Sequence, residues 1–183
     1  IDVKDLGVDF LSMSAHKIYG PKGVGALYMK KGVRITNFMH GGAQETKRRA
    51  GTENLAGIAG FGKAAELAAA NLEQHIEHST KLRNYFWEQI EANISGVTLN
   101  GSREKRHPGN LNVSFDYIEG ESILLMLDAF GISISTGSAC SSKSLVPSHV
   151  LEAIGISITK MNGTVRFTVG DFTTKEDIDY VVE

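Results

Sequence analysis

A lysine, Lys17, follows a serine (Ser14) and a histidine (His16) and precedes the turn Gly20-Pro21-Lys22-Gly23-Val24-Gly25. The apolar segment Val8 to Met13 reads as a buried strand before it, and Val24 to Met29 as another after it. An amine is thereby fixed at a strand end. A hydroxyl, an imidazole and a glycine-rich turn whose backbone N–H groups could face an anion lie beside it. Such a set suits a lysine that forms a Schiff base with a phosphorylated aldehyde, because the amine must be rigid while donors hold the phosphate. The plain alternative is a solvated loop lysine. The glycines match neither of two other phosphate loops. They lack the Gly-Lys-Ser/Thr ending of a nucleotide P-loop, and Tyr28 stands where a dinucleotide fingerprint needs Gly or Ala.

Three further residues carry potential chemistry. Cys140, the single cysteine, sits in Ser135-Thr136-Gly137-Ser138-Ala139-Cys140-Ser141-Ser142-Lys143-Ser144, a small and polar stretch with little to bury a thiol. Lys143 nearby would favour the nucleophilic thiolate. Thr52, in Arg48-Arg49-Ala50-Gly51-Thr52-Glu53-Asn54, precedes a helical run whose free N–H groups favour an anion. It would serve equally as that helix's N-cap. Arg166 falls on the polar side of an alternating strand, where a solvated arginine is also common. His75 and His78 lie three apart among Glu73, Glu77 and Lys81, with no third ligand at metal spacing, so they read as a solvated pair and no metal site is expected.

The segment Ser14 to Gly25 resembles the pyridoxal-phosphate lysine segment of class V aminotransferase-like enzymes. Together with the Thr52 segment, the Cys140 loop through Val146-Pro147-Ser148-His149-Val150-Leu151, and Arg166, it most resembles the group I cysteine desulfurases of iron–sulfur assembly and nitrogen fixation. That resemblance covers essentially the whole chain. It implies conversion of L-cysteine to L-alanine with sulfur passed on as an enzyme persulfide. Lys17 would then be the Schiff-base lysine and proton shuttle, with Ser14 and His16 donating to the cofactor phosphate. Thr52 would give its hydroxyl to the phosphate across a homodimer interface, Arg166 would pair with the substrate carboxylate, and Cys140 would carry the sulfur. A sulfur-acceptor or iron–sulfur scaffold protein is the implied partner. The family's ring-stacking histidine, ring-nitrogen aspartate and ring-oxygen glutamine have no counterpart here, so weak cofactor binding and little turnover are expected of this chain alone. Two other readings compete. One is a different class V enzyme, an aminotransferase or selenocysteine lyase. The other is a small domain acting only in dimerisation or acceptor docking.

The elements that must position these residues follow from periodicity. Thr52 to about Ile94 is helical in pattern, as two helices or one bent one, and its Gly57, Gly60 and Gly62 are expected where another element packs closely. Leu111, Val113, Phe115 and Tyr117 alternate with polar residues, as do Val165, Phe167 and Val169, and both read as half-buried strands. Ile123 to Phe130 reads as a helix, Ile132 and Ile134 as a further strand, and Pro147 to Ile154 as a short helix. Thr173-Thr174-Lys175-Glu176 reads as a capping box opening a final helix. The resulting fold class is α/β. Residues 1–45 would be a remnant of a cofactor-binding sheet, and 46–183 a small domain with helices on one face of a mostly antiparallel sheet. The start at Ile1 and the end inside a helix are expected of a C-terminal portion of a longer fold-type I pyridoxal-phosphate enzyme.

Composition excludes other classes. The 183 residues carry a net charge of −2, which favours neither nucleic acid nor an acidic membrane as partner. No apolar run approaches the length of a membrane span. One cysteine leaves no internal disulfide framework and fits a reducing, cytoplasmic setting.

Overall fold

The alternation at Leu111 and Val113, and at Val165 and Phe167, builds the central sheet, because period two sends these four side chains to one face. In the computed structural model, which describes residues 1–136 and 148–183, β4 (Asn110–Phe115) pairs antiparallel with both β3 (Val97–Leu99) and β5 (Thr164–Thr168). Val113 stands opposite Val165, and Leu111 opposite Phe167. All four are buried.

Their cover is α3 (Leu72–Asn93), which turns Leu82, Phe86, Trp87 and Ile90 onto the sheet at helical spacing. Phe86 meets Phe167 edge to face, ring centroids 4.8 Å apart and planes at 62°. Each of these large side chains contributes about 1.5–3 kcal/mol by leaving water. Ile178 of α7 (Lys175–Val182) closes the same core. Ile123 and Leu127 of α4 (Gly120–Ala129) pack at its margin. Two short helices, α5 (His149–Ala153) and α6 (Ile158–Asn162), precede β5. The expected antiparallel sheet with helices on one face is thus present.

This sheet and its helices make up one compact unit, Glu73–Glu183; the other is Ile1–Leu72. The latter holds a hairpin of β1 (Phe10–Ser14) and β2 (Gly25–Met29), paired from Phe10↔Met29 to Ser14↔Gly25. After it come a single turn, α1 (Gln44–Lys47), in which Glu45 and Thr46 adopt left-handed backbone, and α2 (Leu55–Ala70). The domain division expected after residue 45 concerns a longer protein, which is a separate matter from how these residues pack.

Several local expectations are corrected. The helical run is two helices that part at Asn71, as one of the two alternatives had it. Ile132 and Ile134 form no strand; among the described residues of this segment Ser135 alone bridges, to Arg166. The final helix is capped one residue later than expected. Thr174 Oγ1 accepts from the Asp177 amide at 3.1 Å, and Asp177 accepts in return from the Thr174 amide at 2.8 Å. Thr173 serves the preceding turn instead, its hydroxyl accepting from the Gly170 amide. The two histidines are tied to that same turn. His75 pairs with Asp171, and His78 lies 3.2 Å from the Thr173 carbonyl.

Candidate active site

A 3-10 turn, Ala15–Ile18, caps the end of β1 and carries His16 and Lys17, both exposed. Three packing devices fix it. Ala15 is fully buried. Its amide donates to the Val24 carbonyl at 3.1 Å, closing the hairpin mouth, while its carbonyl accepts from Gly20 at 2.9 Å and also from the Tyr19 amide. Tyr19 itself takes φ 62, a left-handed conformation uncommon outside glycine, which reverses the chain directly after the lysine turn.

Behind the turn lies α2, and here the expectation for its glycines divides. A Cβ on Gly60 would stand 2.6 Å from Pro21 Cγ, so this glycine is where helix and loop touch. A Cβ on Gly20 would stand 2.9 Å from the Ala15 carbonyl oxygen and 3.1 Å from Ala64 Cβ. Gly57 is buried with its own cap residue, Asn54, nearest to it, and Gly62 faces open space. Close packing against another element therefore accounts for Gly60 and leaves Gly62 without that role. Pro21 and Gly60, 39 positions apart, form a matched pair that periodicity alone does not reveal.

Gly20, which opens the glycine-rich turn, spends its amide locally. Its amide and that of Tyr19 both donate to the Ala15 carbonyl, whereas Gly25 stands opposite Ser14 in a pair that exchanges no ladder hydrogen bonds, which leaves its amide directed out of the hairpin. Ser14 precedes the turn without using its hydroxyl to cap it, and His16 and Lys17 project beside it. A hydroxyl, an imidazole and an amine on one braced turn fit a phosphorylated aldehyde.

Thr52 is exposed just ahead of α2 but does not cap it. Asn54 does, accepting from the Gly57 amide at 3.1 Å. The capping alternative for Thr52 is thus removed, and among the described residues its hydroxyl makes no hydrogen bond to the lysine turn.

In the other unit, Arg166 is half-buried in the middle of β5, opposite Asn112 of β4. Its backbone is held from the far side too, with its amide donating to the Ser135 carbonyl at 2.6 Å and its carbonyl accepting from Ser135 at 3.2 Å. Around it the polar face is a chain of hydrogen bonds. Asn100 Nδ2 donates to Asn112 Oδ1 at 2.9 Å and to Ser114 Oγ at 2.8 Å, and Ser114 Oγ lies 2.7 Å from Thr164 Oγ1. The amphipathic alternation at Asn112 and Ser114 pointed to this face, but not to Asn100 or Ser135 as supports. Cys140 lies outside the described residues. Among the described residues no group of acidic, histidine or cysteine side chains is arranged to hold a metal ion.

With this geometry in place, comparison with known proteins gives its class. The class-V aminotransferase family profile matches residues 1–181, and the chain belongs to that family. Enzymes of this family depend in general on pyridoxal phosphate. The chain is 58% identical over 183 residues to the cysteine desulfurase IscS of Dictyoglomus turgidum, covering 100% of this chain and 46% of that protein. It is 53% identical to the cysteine desulfurase IscS of Methanosarcina thermophila, again over 100% of this chain and 45% of the relative. It is similar to the solved structure of a NifS-like protein, with TM-score 0.88 and 35% identity, covering 100% of this chain and 46% of that one. A structure of SspA in complex with cysteine gives TM-score 0.68 at 32% identity, over 95% of this chain and 47% of that one. The chain spans about half the length of the curated relatives it matches, 46% in the first case.

Proposed function

We propose that this chain supplies the lysine, the sulfur-accepting cysteine and the carboxylate-binding arginine of a pyridoxal-phosphate-dependent cysteine desulfurase. The observation that carries the reading is the braced turn. Ala15 is buried beneath it, Gly20 and Gly60 admit α2 behind it, and Lys17 and His16 are presented on its open side.

Pyridoxal phosphate, when bound, supplies an electron-accepting ring joined through its aldehyde to the amine. The chain's residues do the rest. Ser14 and His16 donate to the phosphate, joined by Thr52 from the second subunit of a homodimer. Lys17 would hold the cofactor through its amine and would carry the proton taken from the substrate's α-carbon. Arg166 holds the L-cysteine carboxylate with its planar fork. The Cys140 thiolate attacks the substrate sulfur. An S–S bond forms as the C–S bond breaks, the electron pair stays with the three-carbon fragment, and that fragment leaves as L-alanine after protonation. Cys140 is left as a persulfide for a sulfur-acceptor or iron–sulfur scaffold protein. A thiol that must stay reduced between turnovers suits the cytoplasm.

Borohydride reduction after incubation with pyridoxal phosphate, followed by peptide mass mapping, tests the lysine. One stable adduct at Lys17 is expected. A single adduct at another lysine would sink the assignment, whereas scattered or absent label would mean that this chain alone does not hold the lysine site ready. In a full-length protein that includes this chain, exposure to L-cysteine should add one sulfur to Cys140, and C140S should abolish sulfur transfer. Transamination that survives in C140S, with no persulfide in the parent protein, would point to an aminotransferase instead.

A further inference from the structure

Arg83 lies on the sheet-facing side of α3 and is only 5% exposed, an enclosure that guanidinium groups seldom tolerate without an acid beside them. Its Nε and Nη2 both donate to Asn84 Oδ1, at 3.2 and 2.8 Å, and its Nη1 donates to the His107 carbonyl at 3.5 Å. Arg106, from the connection between β3 and β4, donates from Nε to the Ser102 carbonyl at 2.6 Å and from Nη2 to the Asn100 carbonyl at 2.7 Å. All of these acceptors are neutral. A guanidinium has five N–H groups, so each of the two retains unused donors.

A third arginine completes the cluster. Arg103 lines the same cleft as Arg83 and Arg106, together with Trp87, Leu99 and Leu111. The cleft is small and open to solvent. Among the described residues Arg83 and Arg106 form no ion pair, and only Arg103 has an acid, Glu88, at 3.4 Å. Burial, and then the charge of Arg103, hold Arg83 below the usual guanidinium range. Burial, and then the charge of Arg83, do the same for Arg106. Two uncompensated cations therefore face each other across a small opening, and one dianion would neutralise both.

We propose that this cleft is a binding site for a phosphate group, held by Arg83, Arg103 and Arg106 over Trp87. The planar forks match phosphate oxygens, and the two unpaired charges match its dianion better than a monovalent carboxylate. The site is independent of the lysine turn and of the desulfurase reading.

Trp87 is the sole tryptophan of the chain, so its fluorescence reports on this cleft. The experiment titrates the protein with inorganic phosphate, with glycerol 2-phosphate and with sodium chloride at matched ionic strength. A saturable change with phosphate, absent with chloride, is expected. R106Q should weaken it by about tenfold, the loss of one charge-assisted hydrogen bond. R103Q, at a side chain that is more than half exposed, tests the same point should R106Q fail to fold. Saturation by glycerol 2-phosphate as well would assign the site to phosphate esters, and saturation by inorganic phosphate alone to the free ion. A response no larger than that to chloride, or unchanged affinity in R103Q together with any folded R106Q, would overturn the proposal.

Discussion

Replacing Gly60 and Gly62 by alanine, one at a time, separates the intrinsic preference of α2 from its contact with the lysine loop. Both glycines sit inside the same helix, and either substitution gains about 1 kcal/mol of helix propensity. For Gly62 nothing lies within 4 Å of the added methyl, so G62A should stabilise the protein by about that amount. For Gly60 the methyl would stand 2.6 Å from Pro21 Cγ and 3.2 Å from Cδ. Overpacking of this kind costs about 1–3 kcal/mol, which cancels or exceeds the propensity gain. The two variants should therefore differ by about 1–3 kcal/mol, with G60A the weaker. Urea unfolding followed by far-UV circular dichroism gives the difference, and hydrogen exchange of the peptides spanning 10–29 locates it. Because Pro21 belongs to the turn that carries Lys17, G60A should also slow adduct formation with pyridoxal phosphate while G62A should not. If G60A proves as stable as G62A and labels Lys17 equally fast, the helix does not brace the turn and that account fails.

Other perturbations test the remaining structure. G20A drives a methyl against the Ala15 carbonyl oxygen, which cannot yield as a side chain can. It should destabilise the hairpin unit by about 1–3 kcal/mol and reduce labelling of Lys17, measured by the same two assays. F86A removes the ring packed on Phe167 and should cost about 3–5 kcal/mol, read as a lowered urea midpoint by Trp87 fluorescence. In α7, hydrogen bonds from the Thr174 backbone and hydroxyl hold Asp177 below the usual carboxylate range, and bonds from Lys175 and then Tyr85 do so for Asp179. Carboxyls lowered by folding stabilise it above their unfolded value of about 3.9, and that contribution is lost as pH falls through the folded value. Protection of the α7 amides should therefore decline below about pH 4, and T174A should remove the part that Asp177 supplies. An acid profile identical in T174A and the parent would refute the capping account.

Much of the scaffold could be read from residues alone, because long alternations and helical stripes reflect a single buried face. Asn110 to Phe115 and Thr164 to Thr168 are strands in both the pattern and the structure. Val97–Leu99 escaped notice because three residues are too few to show a period. Thr52 and Thr173 were each placed one capping role away from where the chain uses Asn54 and Thr174, since neighbouring polar residues compete for the same amides. The lysine turn was legible as a motif, but its support was not. Pro21 meets Gly60 and Gly20 meets Ala64 through tertiary packing, which leaves no local signature. The arginine cluster was equally hidden, because Arg83 reads in sequence as one more charge on a long helix.

The registers of the two sheets also set how quickly each is assembled. The hairpin pairs Ser14 with Gly25 across a short connection, a closure of the kind completed in microseconds. The pairing of β4 with β5 joins Ser114 to Thr164, 50 positions apart, and must close that loop before the sheet exists. Contacts so distant in sequence slow folding. The strand that carries Arg166 is therefore expected to form well after the hairpin that carries Lys17. During synthesis, the lysine turn can be in place while the arginine's strand is still waiting for its partner.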